Sequence, residues 1–141
     1  MNPEISTPQL SRHFSSTPLG ASIARDITER QVAAWGHPRG SRGNQNARQI
    51  VAELAANAVT HGHVRGRGCH LRLLLPTEDI LRIEVSDARG ERKLRYVLDP
   101  DAENGRGLII VTVLSLAWGV MDRQVGKTVW AEVSLKEPGA R

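Results

Sequence analysis

The segment Glu53-Leu-Ala-Ala-Asn57-Ala-Val-Thr-His61 constrains this chain most tightly. Glu53, Asn57 and His61 stand at i, i+4 and i+8, so on a helix they form one polar row. Ala47, Ile50, Val51, Leu54 and Ala58 recur with the same period and define an apolar stripe. At roughly 100° per residue, Glu53 falls just outside the stripe, Asn57 on its margin near Ile50, and His61 further in. Such a helix must bury its stripe against another element and also satisfy polar groups at the boundary. Two readings follow: a solvated or backbone-bonded row, or a row that meets a ligand carrying a metal ion.

The remaining pattern says what this helix packs against. His13 to Thr17 reads as a short edge strand closed by Pro18-Leu-Gly20, and Ala21 to Trp35 as a helix with Ile23, Ile27, Val32 and Ala33 inward. Gly36 to Gly43 is rich in breakers and reads as a loop. The central helix then runs from about Gln45 to His61, with Gly62 placed as its C-terminal cap. Cys69 to Leu75 and Ile80 to Ser86 alternate as strands around Pro76-Thr-Glu-Asp79. Leu108 to Leu116 is an apolar helix. Trp118 to Asp122 and Thr128 to Leu135 form a second hairpin. Ala88 to Asn104 is long for a connection and reads as functional or mobile.

This order lacks the strand–helix alternation of a doubly wound nucleotide fold. It fits an α+β, two-layer sandwich: a mixed, mostly antiparallel sheet of about five strands with about three helices on one face. Residues 1–12 are expected as a tail, 13–136 as the domain, and 137–141 as a second tail.

Composition removes several classes. A chain of 141 residues supports one domain with a core, and 40% hydrophobic residues is ordinary for a globular protein. No apolar run reaches membrane-spanning length, and the N-terminus lacks a basic segment followed by an apolar one, so a cytoplasmic location is expected. The single cysteine, Cys69, excludes an intrachain disulfide and a cysteine-based zinc cage. The net charge of +4 comes from scattered residues, with one Tyr and one Phe, which argues against direct nucleic-acid binding. An acidic partner protein fits the charge.

Three further sites bear on a nucleotide. Asp87 ends the strand Ile83-Glu-Val85; it is either a turn or cap aspartate or an acceptor for an exocyclic amine. Gly105-Arg-Gly107 precedes an apolar helix; it is either a tight turn or a backbone cradle for phosphates at a helix N-terminus. Gly126-Lys-Thr128 is either a turn leading into a β-branched strand residue or the source of a hydroxyl for a base or bridging water.

The order and spacing of these pieces resemble the GHKL ATPase/kinase superfamily, whose Bergerat fold is shared by gyrase and histidine kinases. Glu53-Leu-x-x-Asn57-Ala-x-x-His61 resembles its N box, and Val85-Ser-Asp87 the start of its G1 box. Glu103-Asn-Gly105-Arg-Gly107-Leu108 resembles its G2 box. Trp118-Gly-Val120 and Gly126-Lys-Thr-Val-Trp130 resemble the C-terminal strands of its anti-sigma-factor serine kinases, especially the short stand-alone actinobacterial regulators.

The resemblance implies an ATP-dependent serine/threonine kinase with Mg²⁺. It would bind a sigma factor and phosphorylate a STAS-type anti-anti-sigma protein, and a homodimer is compatible with it. It implies Asn57 as the Mg²⁺ ligand, Asp87 as reader of the adenine amine, and Gly105, Arg106, Gly107 and Leu108 as the phosphate segment. Ala88 to Asn104 would be the ATP lid, Thr128 would support the adenine end, and Glu53 would be the general base. The chain departs from the usual Asp-x-Gly-x-Gly of the G1 box, having Asp87-Ala-Arg89-Gly90-Glu91. Arginine at the first glycine position can narrow a base pocket or fold over it, so a second reading is a binding protein that sequesters a sigma factor or antagonist without ATP turnover. A histidine-kinase module would need a helix pair carrying a phospho-accepting His before the domain, and His13 lies in a short non-helical stretch.

Overall fold

Thr17 starts the first helix. Its side-chain oxygen accepts a hydrogen bond from the Gly20 N–H at 3.0 Å, and Pro18 takes the first helical position, where a missing N–H costs little. The computed structural model describes residues 6–61, 67–87, 105–122 and 126–138. Within them the order is β1 (Gln9–Phe14), α1 (Pro18–Ala34), α2 (Arg42–His61), β2 (Cys69–Thr77), β3 (Ile80–Asp87), α3 (Gly105–Leu114), β4 (Ala117–Asp122) and β5 (Lys127–Ser134). Gly62, the segment Ala88 to Asn104, and Gln124-Val125 lie outside the described residues.

The five strands form one sheet in the order β1-β2-β3-β5-β4, and all four pairings are antiparallel. Alternation sorts its two faces. Leu71, Leu73, Leu81, Ile83, Val85, Val129, Ala131 and Val133 are buried together with Ile50, Val51 and Leu54 of α2 and Val111 of α3. The other face carries charge. Arg82 Nε lies 2.8 Å from Glu84 Oε2, Arg82 Nη1 lies 3.4 Å from Glu132 Oε2, and the same guanidinium stacks 4.5 Å from the Trp130 ring centroid. Helices can therefore cover only the first face, and the result is the expected two-layer α+β sandwich. Among the described residues no helix is long and apolar enough to cross a membrane.

One boundary and one buried face differ from the sequence expectation. The edge strand is Gln9–Phe14, so Gln9 to Arg12, assigned to the tail, belong to the sheet. Leu10, Arg12 and Phe14 take the positions on the helix-covered face, and the arginine between two apolar residues breaks the alternation. In α1 the buried residues are Gly20, Ala24, Thr28 and Val32, whereas Ile23 is 45% exposed. Small residues face inward because the helix lies close to its neighbours: a Cβ on Gly20 would run into the Ser15 carbonyl. Thr28 is buried because its hydroxyl donates to the Ala24 carbonyl at 2.9 Å.

α2 begins equally close to the sheet. A Cβ on Gly43 would stand 2.7 Å from Leu135 Cα, a backbone neighbour that cannot rotate away. The overpacking cost of about 1–3 kcal/mol exceeds the helix propensity of about 1 kcal/mol gained from alanine. Gly43→Ala should therefore lower the urea midpoint. An unchanged or higher midpoint would contradict this contact.

Candidate functional site

Gly43 fixes where the polar row ends up. Leu135 follows β5, and its N–H bonds the Asp79 carbonyl at 2.7 Å, so this contact marks the start of β3. From there α2 crosses β3 and β5. The stretch from Gly43 to Asn57 rises about 21 Å, and β3 from Ile80 to Asp87 spans about 23 Å. The C-terminal half of α2 therefore reaches the Asp87 end of the sheet.

α3 is brought to the same end by its link to β4. The Leu116 N–H donates to the Glu132 carbonyl at 2.7 Å, and Trp118 Nε1–H donates to Thr112 Oγ1 at 2.8 Å. β4 thus folds back along α3. The N-terminus of α3 lies toward Asp122, which pairs in register with Lys127. In an isolated helix the first four backbone N–H groups have no intrahelical acceptor, so Gly105 to Leu108 present donors there. Leu108 sends its side chain into the core, leaving its backbone for any ligand.

On α2, Glu53 Oε1 accepts a hydrogen bond from Gln49 Nε2 at 3.0 Å. No partner for Oε2 is found among the described residues. Asn57 and His61 are half-buried, and each is engaged by a neighbouring group.

Asp87 and Thr128 do not share a face. Thr128 pairs in register with Ser86, and their hydroxyls lie 2.7 Å apart on the face opposite Asp87. The register thus gives the Thr128 hydroxyl to Ser86 on that face, apart from the Asp87 carboxylate. The residue opposite Asp87 is Lys127, whose Nζ stands 2.6 Å from Asp87 Oδ2. The two side chains are 6% and 3% exposed. Sequence reasoning passed over Lys127 as a turn residue. The sequence carried no signal for it, because β3 and β5 are not consecutive and only their register sets Asp87 across from position 127. Next to this pair, burial pushes the Cys69 thiol pKa up, partly offset by a hydrogen bond from Ser16. Cys69 is therefore a packed thiol rather than a nucleophile. It should resist alkylation in the folded chain and react once urea unfolds it, a contrast that mass spectrometry reads.

The donor set can be set against Mg-ATP. The phosphate end fits: an amide oxygen at Asn57 suits a hard cation, and the N–H groups opening α3 suit phosphate oxygens. Among the described residues no group of three or more His, Cys, Asp or Glu could hold a metal alone, so such a cation would keep phosphate and water ligands. The base end does not fit as it stands, since Asp87 is already held by an ammonium.

A cavity of about 260 Å³ lies between α1 and α2 and is lined by Ala21, Ser22, Arg25, Ala52, Ala56 and Thr60 among others. Arg25 Nη2 reaches Ser22 Oγ at 3.4 Å, while its buried Nε has no hydrogen-bond partner among the described residues.

Together these elements define a Bergerat-type, two-layer α+β sandwich. The chain is similar to the crystal structure of the RsbU and RsbW domains of Rv1364c from Mycobacterium tuberculosis, with a TM-score of 0.69 and 20% sequence identity. That match covers 95% of this chain and 34% of the other. It is also similar to the histidine kinase domain of the blue-light activated histidine kinase of Erythrobacter litoralis EL346, with a TM-score of 0.50 and 17% identity, over 79% of this chain and 61% of that one. At such identities the likeness establishes the fold. No family model matches the chain. No curated protein matches it either.

Proposed function

We propose that this chain is a partner-switching regulator of the anti-sigma-factor kinase type. It takes Mg-ATP at the end of the sheet described above, binds a sigma factor, and phosphorylates a hydroxyl of a STAS-type anti-anti-sigma protein. The observation that carries this reading is the convergence of the α2 polar row, the end of β3 and the N-terminus of α3 at one end of a GHKL-like sheet. Mg-ATP would supply the transferable phosphoryl group and the charge that screens it. The backbone opening α3 would hold phosphate oxygens, and the Asn57 amide oxygen would offer a metal ligand. Glu53, with Oε1 fixed by Gln49, turns Oε2 toward the proton of an acceptor hydroxyl. The titration of Mg-ATP into the full chain by calorimetry tests this site. Saturable binding that weakens at least tenfold in Asn57→Ala is expected, and equal heats in both proteins would contradict it.

The α1–α2 cavity supports the partner half of the proposal. It pairs apolar lining with an unsatisfied guanidinium N–H, a chemistry that suits a carboxylate on a partner's helix. Arg25→Ala should weaken partner binding about tenfold or more, as expected for loss of a charge-assisted bond of about 1.5–3 kcal/mol, without altering Mg-ATP binding. Unchanged partner affinity would remove the cavity from the interface.

One observation favours a second reading. The buried Lys127–Asp87 pair closes the base end, which suits a sigma-factor- or antagonist-sequestering protein that works without ATP turnover.

A further inference from the structure

Lys127 opens β5 and Asp87 closes β3, and the two are partners in the antiparallel register. Their alternation matches that of Val129 and Val85, so both point to the helix-covered face. The Nζ–Oδ2 distance of 2.6 Å makes this a charge-assisted hydrogen bond, and burial removes the water that would otherwise screen it. An exocyclic amine of a purine would ask for the same carboxylate but brings a neutral donor. A neutral donor cannot displace a paired ammonium unless the ammonium finds another anion. Such an anion stands on the other side of Lys127: Asp122 of β4 is its register partner there, at the exposed sheet edge.

Resting on the nucleotide-binding reading above, we propose that Lys127 is the built-in occupant of the base pocket. Its ammonium takes the place on Asp87 that a purine's exocyclic amine would take. Nucleotide then enters with high affinity only when Lys127 shifts from Asp87 toward Asp122. Lys127 is thus a specificity-determining residue. It sets how tightly the chain holds nucleotide and whether the amine is read at all.

Calorimetry on the full chain tests this with two ligands, Mg-ATP and the Mg-triphosphate of purine riboside, which lacks the exocyclic amine. In the wild type the two should bind within about threefold of each other, because Asp87 is engaged by Lys127. Lys127→Met keeps the stem and removes the charge. It should bind Mg-ATP at least tenfold more tightly and prefer it over the amine-free analogue. Where Lys127→Met fails to fold, Asp87→Asn combined with Lys127→Met removes both charges, keeps an amide oxygen for the amine, and should show the same gain. Circular dichroism confirms folding in each case. A wild type that prefers Mg-ATP more than tenfold overturns the proposal, as does a folded, charge-free variant that binds no tighter than wild type. If wild type binds and Asn57→Ala weakens it while the Lys127 variants gain nothing, this proposal fails alone. If no variant binds Mg-ATP, the nucleotide-binding reading fails with it.

Discussion

Replacing Glu53 with glutamine should cut phosphoryl transfer to a STAS partner about 10²–10⁴-fold, the usual contribution of a positioned general base. Glutamine keeps the length, the helix propensity and an oxygen for the Gln49 amide, so the bond at 3.0 Å has a substitute. It cannot take a proton. Mg-ATP affinity should therefore stay within about twofold of wild type, because Glu53 sits one helical turn before the residue proposed to meet the metal. Single-turnover transfer of labelled phosphate, with calorimetry in parallel, separates the two effects. A Glu53→Gln protein that transfers at the wild-type rate would leave Glu53 as a solvated helix residue. A loss of transfer with an equal loss of nucleotide binding would assign it to binding.

The largest stability effect should come from Asn44. It is fully buried near the start of α2, and its Nδ2 donates to the Glu29 carbonyl at 3.1 Å and the His37 carbonyl at 2.8 Å. One side chain thus ties α2 to α1 and to the loop between them. Asn44→Asp exchanges these donors for a buried carboxylate facing two carbonyls. The expected cost is about 3–5 kcal/mol, against a total stability of about 5–15 kcal/mol for a domain. Asn44→Ala removes the donors without adding charge and should cost about 1–3 kcal/mol. Urea denaturation of the three proteins should give wild type, alanine and aspartate in that order. An aspartate variant as stable as the alanine one would mean that this site admits water.

How much of this was legible beforehand depended on the physical signal each part carries. The central hairpin and α2 were readable because Leu71, Leu73, Leu81 and Ile83 alternate and Ile50, Val51, Leu54 and Ala58 follow helical period, and burial follows both periods. β1 is not legible because Arg12 stands between Leu10 and Phe14 on the helix-covered face and breaks the two-residue period. Ile23 was misassigned because apolarity alone does not reveal that Gly20, Ala24 and Thr28 permit the closer packing. At the site, Asn57 stands out as a polar residue on the margin of the apolar stripe of α2, and Asp87 as one ending an apolar strand. The partner of Asp87 does not. A lysine in a turn is ordinarily solvated, and only the β3–β5 register shows that Lys127 is aimed inward and Thr128 outward. Arg89, Gly90 and Glu91, which carry the departure in the G1 segment, lie outside the described residues.

Transfer of label from γ-labelled ATP, in the presence of Mg²⁺, to a STAS-type partner tests the proposed function most directly. The proposal requires acid-stable label on a partner hydroxyl, lost when that hydroxyl is removed and lost with Glu53→Gln. Acid-labile label on this chain itself would contradict it in favour of histidine phosphorylation. Tight partner binding with no label on either protein would contradict it in favour of sequestration without turnover.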